Sequence, residues 1–262
     1  MKKKIIGSDY DGTLNRGSGI TEEDADAIAR FRAAGGLFGI VTGRSLYTGL
    51  EQFLNGSFLQ IDFIIALNGS QIVDGSGHML NETPIDAKKP LPDGRPLLRA
   101  LVSDIMEAGG TFVGITASDR RIEVVPSYPD GYGDYYRPHA EIDSFDTFLM
   151  VNTAMASEKK TVSFLENELR PRYRGYMNPL QNGQCIDIPA WGIDKGEGLS
   201  RYAALVGVGE DDIYCAGDNW NDLAMLTRFH GCAMRNGAEG VKERSEHIVD
   251  TISDVVTLAM KD

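Results

Sequence analysis

The sequence predicts an α/β fold, a parallel sheet with helices on both faces, interrupted by a smaller inserted α+β domain. Two observations carry this. From Lys2 to about Asn68, short apolar runs alternate with segments of helical spacing, the rhythm of parallel strands joined by crossover helices. That rhythm breaks near Ser70 and returns after Pro189. With 262 residues, 42% hydrophobic and 24% charged, the chain is long enough and apolar enough to pack two such domains. The outer segments read as one Rossmann-like core, residues 1–82 and 188–262, and residues 83–187 as the insertion.

Each element follows from local chemistry. "KKIIGSD" is a short strand, and "TEEDADAIARFRAAGG" is a helix with Thr21 as N-cap, acids in its first turn and Gly35 and Gly36 at its end. "LFGIVT" is a second buried strand. In "RSLYTGLEQFLN", Leu46, Leu50, Phe53 and Leu54 fall at helical spacing, and "DFIIALNG" is a third strand ended by a turn. "QIVDGSGHML" reads as a hairpin about Asp74 and Gly75, and "TPIDAKKPLPDGRP" as a connector. The insertion reads as helix, several strands that pair mainly antiparallel, and the helix "SEKKTVSFLENELR". Beyond it come a helix from about Lys195, the strand "DIYCAG", a helix from Asp222, the strand "HGCAM", a short helix, "HIVD" and a last helix.

The net charge of −12 repels phosphate backbones and anionic lipid surfaces, so neither nucleic acid nor membrane is an expected partner. No apolar run approaches the roughly 20 residues of a membrane span. Lys2, Lys3 and Lys4 precede only Ile5 and Ile6 before the first acid, which is too short for a signal peptide. Cys185, Cys215 and Cys232 are widely spaced and read as free thiols, so a cytoplasmic protein is expected.

The ends of the strands carry the chemistry. Ligands of an open parallel sheet bind beyond the carboxyl ends of its strands. Those ends fall at Asp9 in "SDYDGTLN", Thr42 in "VTGRS", Asn68 in "LNGS" and Asp218 in "GDNWND", and "IDKGEG" opens a helix with Lys195. Two aspartates two residues apart at the end of an apolar run need partners, and the set suits phosphoryl transfer. Asp9 can attack phosphorus and form an aspartyl phosphate, while Asp11 protonates the leaving oxygen and later takes a proton from water. Thr42, the backbone near Gly43, and Lys195 can bind the non-bridging oxygens. Asp9, Asp11, Asp218 and Asp222 around one lysine call for a cation, and hard oxygen ligands without His or Cys select Mg²⁺. Crowding is expected to raise one carboxyl pKa, and Asp11 is the one whose task needs a proton.

"DYDGT", "VTGRS", "DKG" and "GDNWND", in that order, resemble the four motifs of the haloacid dehalogenase superfamily, and within it the Cof-type sugar-phosphate phosphatases. The resemblance implies Asp9 as nucleophile, Asp11 as acid/base, Thr42 and Lys195 as phosphate binders, and Asp218 as a Mg²⁺ ligand beside Asp9 and the Asp11 carbonyl. It places Asn221 and Asp222 in support of the metal site, Asn221 also near the substrate, with Asn68, Gly69 and Arg44 reaching the substrate phosphate. The insertion is similar to a cap domain that closes over the site and chooses a small phosphorylated metabolite. A monomer or weak homo-oligomer is expected. A phosphomannomutase-like phosphotransferase, or a non-catalytic regulator binding metal or phosphate, is the alternative.

"AMRNGAEGV" departs from the family's usual Gly-Asn-Ala by placing Arg235 before Asn236, a change expected to alter the rim of the site and not its chemistry. Trp191 and Trp220 are expected to pack, and His78, His139, His230 and His247 to be structural or exposed. Tyr128, Tyr132, Tyr135 and Tyr136 are expected to line the specificity pocket.

Overall fold

The structure, a computed structural model, describes residues 2–46, 50, 53, 59–124 and 139–261. The four tyrosines expected in the specificity pocket lie outside them, as does most of the helix expected after Arg44. The chain divides into two compact units, Met1–Glu82 with Ile193–Asp262, and Thr83–Gly192.

The first unit begins with β1 (Ile5–Ser8), α1 (Glu22–Ala33), β2 (Leu37–Val41) and β3 (Phe63–Ala66), followed by the hairpin strands β4 (Gln71–Asp74) and β5 (Met79–Glu82). The Thr21 side chain accepts the Asp24 N–H at the start of α1, so the cap read from sequence is made.

In the second unit, β6 (Ile85–Asp86) pairs with β9 (Thr147–Phe148). Around α2 (Leu97–Glu107) lie β7 (Val113–Thr116), β8 (Arg121–Val124), β10 (Met150–Ala154), β11 (Leu180–Asn182) and β12 (Cys185–Pro189), an antiparallel sheet in the order β11-β12-β10-β7-β8. Its core includes Leu101, Ile105, Phe148, Phe164, Leu169 and Tyr173. Below it, Asp104 accepts hydrogen bonds from Tyr173 (2.6 Å), Arg172 (2.5 Å) and Arg95 (3.1 Å). This unit runs to Gly192 and not to the expected residue 187. The cause is local: β12 continues to Pro189, Met177 bridges Ala190, and the Trp191 N–H reaches the Tyr176 carbonyl at 3.2 Å. Trp191 is nonetheless 51% exposed, contrary to the packing expected of it.

The chain then completes the first unit with α3 (Lys195–Val206), β13 (Ile213–Gly217), α4 (Leu223–Arg228), β14 (His230–Met234), β15 (His247–Val249) and α5 (Ile252–Lys261). Its sheet has the order β15-β14-β13-β1-β2-β3-β4-β5, with the first six parallel and β4 and β5 antiparallel at one edge. Alternate residues feed two cores. Ile6, Ile40, Ile64 and Ala216 face Ala27, Phe31 and Val255, whereas Ile5, Val41, Ile65 and Cys215 face Leu199 and Tyr202. Each such fully buried large side chain contributes roughly 1.5–3 kcal/mol. Trp220 packs against the second of these cores, as expected.

Parallel strands put all their carboxyl ends on one edge. β1 has β2 on one side and β13 on the other, so the chain order reverses there, the position at which open α/β sheets bind their ligands. No helix among the described residues is long and apolar enough to cross a membrane.

Candidate active site

The loop after β1 is a tight return. The Leu14 N–H donates to the Asp9 carbonyl (3.2 Å), Asn15 N–H to the Tyr10 carbonyl (2.8 Å) and Gly12 N–H to the Asn15 carbonyl (2.9 Å). Gly12 has φ of +86°, and a Cβ there would lie 2.6 Å from an Asp218 oxygen, so only glycine lets this loop approach the end of β13. Thr13, wholly buried, donates its hydroxyl to Asp218 Oδ1 at 2.9 Å.

α3 delivers the lysine. Asp194 caps the helix by accepting the Glu197 N–H at 2.8 Å, which sets Lys195 at the first helical position. The Lys195 side chain is 1% exposed, with Nζ 2.6 Å from Asp9 Oδ1 and 2.5 Å from Asp222 Oδ1. Burial alone would lower its pKa, but the charges of Asp222 and Asp9 outweigh that and hold the ammonium above the usual lysine range. The other oxygen of Asp222 accepts the N–H groups of Asp218 and Asn219, each at 2.9 Å. One carboxylate thus fixes both the lysine and the turn that carries Asp218.

Oxygens of Asp9, Asp218 and Asp222 lie within 4.8 Å of one another. Burial pushes Asp9 well above the carboxylate range; Lys195 draws it back, and Asp222 and Asp218 push it up again. Burial, then the charge of Asp222, also raises Asp218. Three acids share one lysine, so the cluster is short of positive charge. Its donors are hard oxygens without His or Cys, which fits a cation such as Mg²⁺. Asp222 has both oxygens committed, leaving Asp9 and Asp218 as the better placed ligands.

Asp11 is not in this cluster. Its carboxylate is gripped by Arg44, with Nε to Oδ2 and Nη2 to Oδ1 both 2.6 Å. The crowding expected at Asp11 therefore falls on Asp9.

The loops after β2 and β3 lock to each other. Thr42 is buried, its Oγ1 accepts the Arg44 N–H at 3.1 Å, and its carbonyl accepts the Asn68 N–H at 3.0 Å. The Leu67 N–H reaches the Arg44 carbonyl at 3.0 Å. Gly43 lies between these anchors. Leu67 and Asn68 both have φ of 51°, the positive-φ non-glycine residues among those described, and Gly69 follows at 107°. Backbone strain of this kind persists where the surroundings impose it. Asn68 is fully buried and accepts from Asn221 Nδ2 at 3.4 Å, while Asn221 Oδ1 is buried without a hydrogen-bond partner.

Sequence reading missed Asn236. Its Nδ2 donates to the Gly12 carbonyl at 2.9 Å, so this asparagine touches the loop after β1. Arg235 turns to Asp250, at 2.5 and 3.1 Å.

A family model described as haloacid dehalogenase-like hydrolase matches residues 6–258. The chain belongs to this family. Among relatives of the hydrolase, a 5-amino-6-(5-phospho-D-ribitylamino)uracil phosphatase of Bacillus subtilis, YcsE, is 27% identical, covering 98% of this chain and 94% of its own. A pyridoxal phosphate phosphatase of Escherichia coli, YbhA, is 24% identical, covering 98% and 97%. Among solved structures, the haloacid dehalogenase subclass IIB sugar phosphatase BT4131 superposes with a TM-score of 0.77 over 98% of each chain at 18% identity, a likeness of fold. The family and its phosphatase relatives make this hydrolase an enzyme of the phosphoric monoester class.

Proposed function

We propose that the hydrolase is a Mg²⁺-dependent phosphatase that cleaves small phosphorylated metabolites, sugar phosphates among them, through an aspartyl phosphate on Asp9. The observation that carries this reading is the buried Lys195 bound to both Asp9 and Asp222. A lysine removed from water and fixed against a carboxylate at a strand end holds that carboxylate in one orientation, as a nucleophile requires.

Asp9 attacks phosphorus as the ester P–O bond breaks, and Asp11 gives a proton to the leaving oxygen. Water then attacks the aspartyl phosphate, losing a proton to Asp11, and releases inorganic phosphate. Thr42, the Gly43 backbone and Lys195 bind the non-bridging oxygens, with Asn68, Gly69 and Asn221 on the adjoining loops toward the substrate. Asp9, Asp218 and the Asp11 carbonyl would hold Mg²⁺, with Asp222 in support; the bound ion would offset the charge of the carboxylates and the phosphate. The named activities of YcsE and YbhA, and the sugar phosphatase BT4131, support a small metabolite as substrate. The unit Thr83–Gly192 is assigned the choice among such metabolites. Three free cysteines support a reducing, cytoplasmic setting.

The test is phosphate release from a panel of sugar phosphates, nucleoside monophosphates and pyridoxal phosphate, with Mg²⁺, with EDTA, and with Asp9→Asn. Release that needs the metal and vanishes in the variant is expected. Isomerised product without free phosphate would overturn hydrolysis in favour of a mutase.

A further inference from the structure

The Asp11–Arg44 pair is a contact that the proposed mechanism leaves unexplained. A carboxylate expected to serve the leaving group stands instead in a two-pronged ion pair, both contacts 2.6 Å. The side chains are partly open, 52% exposed for Asp11 and 38% for Arg44. An ordinary ion pair at that exposure contributes little, because the side chains lose freedom to form it. Arg44 is not ordinary in this respect. Its backbone is held at both ends, N–H on Thr42 Oγ1 and carbonyl on the Leu67 N–H, and its guanidinium lies over the Tyr10 ring at 5.1 Å. Tyr10 in turn meets Phe53 edge to face at 5.4 Å. The arginine is therefore substantially ordered before it meets Asp11, and the fork determines which way that carboxylate points.

We infer that Arg44 is a positioning residue for Asp11: it orients the acid/base carboxyl and acts on the reaction through it, rather than serving only as a phosphate ligand. This rests on the phosphatase reading above and adds a residue role to it. The step affected is the proton transfer from the Asp11 carboxyl to the leaving oxygen as the P–O bond breaks, and its return from water in the second step.

The two roles separate by leaving group. An alkyl or sugar alkoxide needs its proton as it departs, whereas p-nitrophenolate leaves without one. A phosphate ligand serves both esters alike. Acid/base catalysis contributes ~10²–10⁴-fold, so Arg44→Ala is expected to lower kcat/KM for an alkyl phosphate by ~10–100-fold and to cost p-nitrophenyl phosphate several-fold less. Arg44→Lys keeps the charge and loses the fork, so it should recover only part of the loss. In an Asp11→Asn background, Arg44→Ala should cost little more, because the residue it acts through is already gone. Melting temperatures identify variants that fail to fold, in which case Arg44→Lys carries the comparison.

Equal losses on both esters, or losses that multiply in the double variant, would overturn the positioning role while leaving the phosphatase reading intact. A rise in activity on removing Arg44 would also overturn it. A wild-type enzyme that releases phosphate from neither ester would end the phosphatase reading, and this inference with it.

Discussion

Lys195 and Asp222 meet at 2.5 Å, each side chain 1% exposed, and the same Asp222 also ties down the two backbone N–H groups at the end of β13. Removing Asp222 leaves those two N–H groups without their acceptor and Lys195 with Asp9 alone, and breaking a buried pair costs more than the pair stabilises. Asp222→Ala is therefore expected to lose about 3–5 kcal/mol in urea unfolding at neutral pH. Asp222→Asn, which keeps the shape and one acceptor, should lose less. A loss below about 1 kcal/mol for the alanine variant would mean that Asp9 alone satisfies Lys195.

Gly12 sets how near the loop after β1 comes to Asp218. In Gly12→Ala the new Cβ must take a positive φ and displace a carboxylate 2.6 Å away. The backbone term alone is about 1 kcal/mol or more. The displaced Asp218 also loses its hydroxyl donor, Thr13. Activity should then require a higher Mg²⁺ concentration for half-saturation, at least ~10-fold, since ligand geometry sets affinity. Titrating Mg²⁺ against phosphate release checks this, and an unchanged midpoint would remove Asp218 from the metal site.

How much of this was legible depended on how far apart in sequence the partners lie. The cap at Thr21 depends on a neighbour three residues on and was readable. The alignment of Asp9, Thr42, Asn68 and Asp218 at one edge follows from counting parallel strands. The contact of Asn236 with Gly12 spans 224 residues, and nothing local to either announces it. The same holds for Arg44 on Asp11: the resemblance alone pointed Arg44 toward the substrate phosphate, and the carboxylate 33 residues away that it grips could not be seen without coordinates. The positive φ of Leu67 was unreadable because leucine disfavours it; Asn68 carried the only hint, asparagine being tolerant of that region. The insertion boundary slipped from residue 187 to 192 because a backbone bond from Trp191 to Tyr176 carries no composition signal.

Asp104 in the second unit gives a pH prediction. Burial would raise its pKa, but hydrogen bonds from Tyr173, Arg172 and Arg95 outweigh burial and lower it. A carboxyl depressed in the folded state stabilises the fold above its unfolded pKa, about 3.9, and that contribution fades as pH falls through the folded value. Asp104→Asn should be less stable than wild type at neutral pH, with the gap narrowing below about pH 4. Unfolding of both proteins from pH 7 to pH 3 checks it, and a gap that stays constant or widens in acid would contradict the sign.

Metal binding is read best without activity. Asp9, Asp218 and Asp222 crowd three acids around one lysine, so the folded state has more to gain from a cation than an unfolded chain in which they are far apart. A ligand that binds only the folded state stabilises it by RT ln(1 + [L]/Kd), about 2.7 kcal/mol at a hundredfold excess over Kd and about 1.4 kcal/mol for each further tenfold. The melting temperature of the wild-type enzyme should therefore rise with the logarithm of Mg²⁺ concentration above Kd, and EDTA should reverse the rise. Asp218→Asn removes one of the two best placed ligand charges, so its melting temperature should respond only at much higher Mg²⁺. A wild-type melting temperature indifferent to Mg²⁺, or a rise of the same size in the variant, would place the cation elsewhere and leave the acids to Lys195 alone.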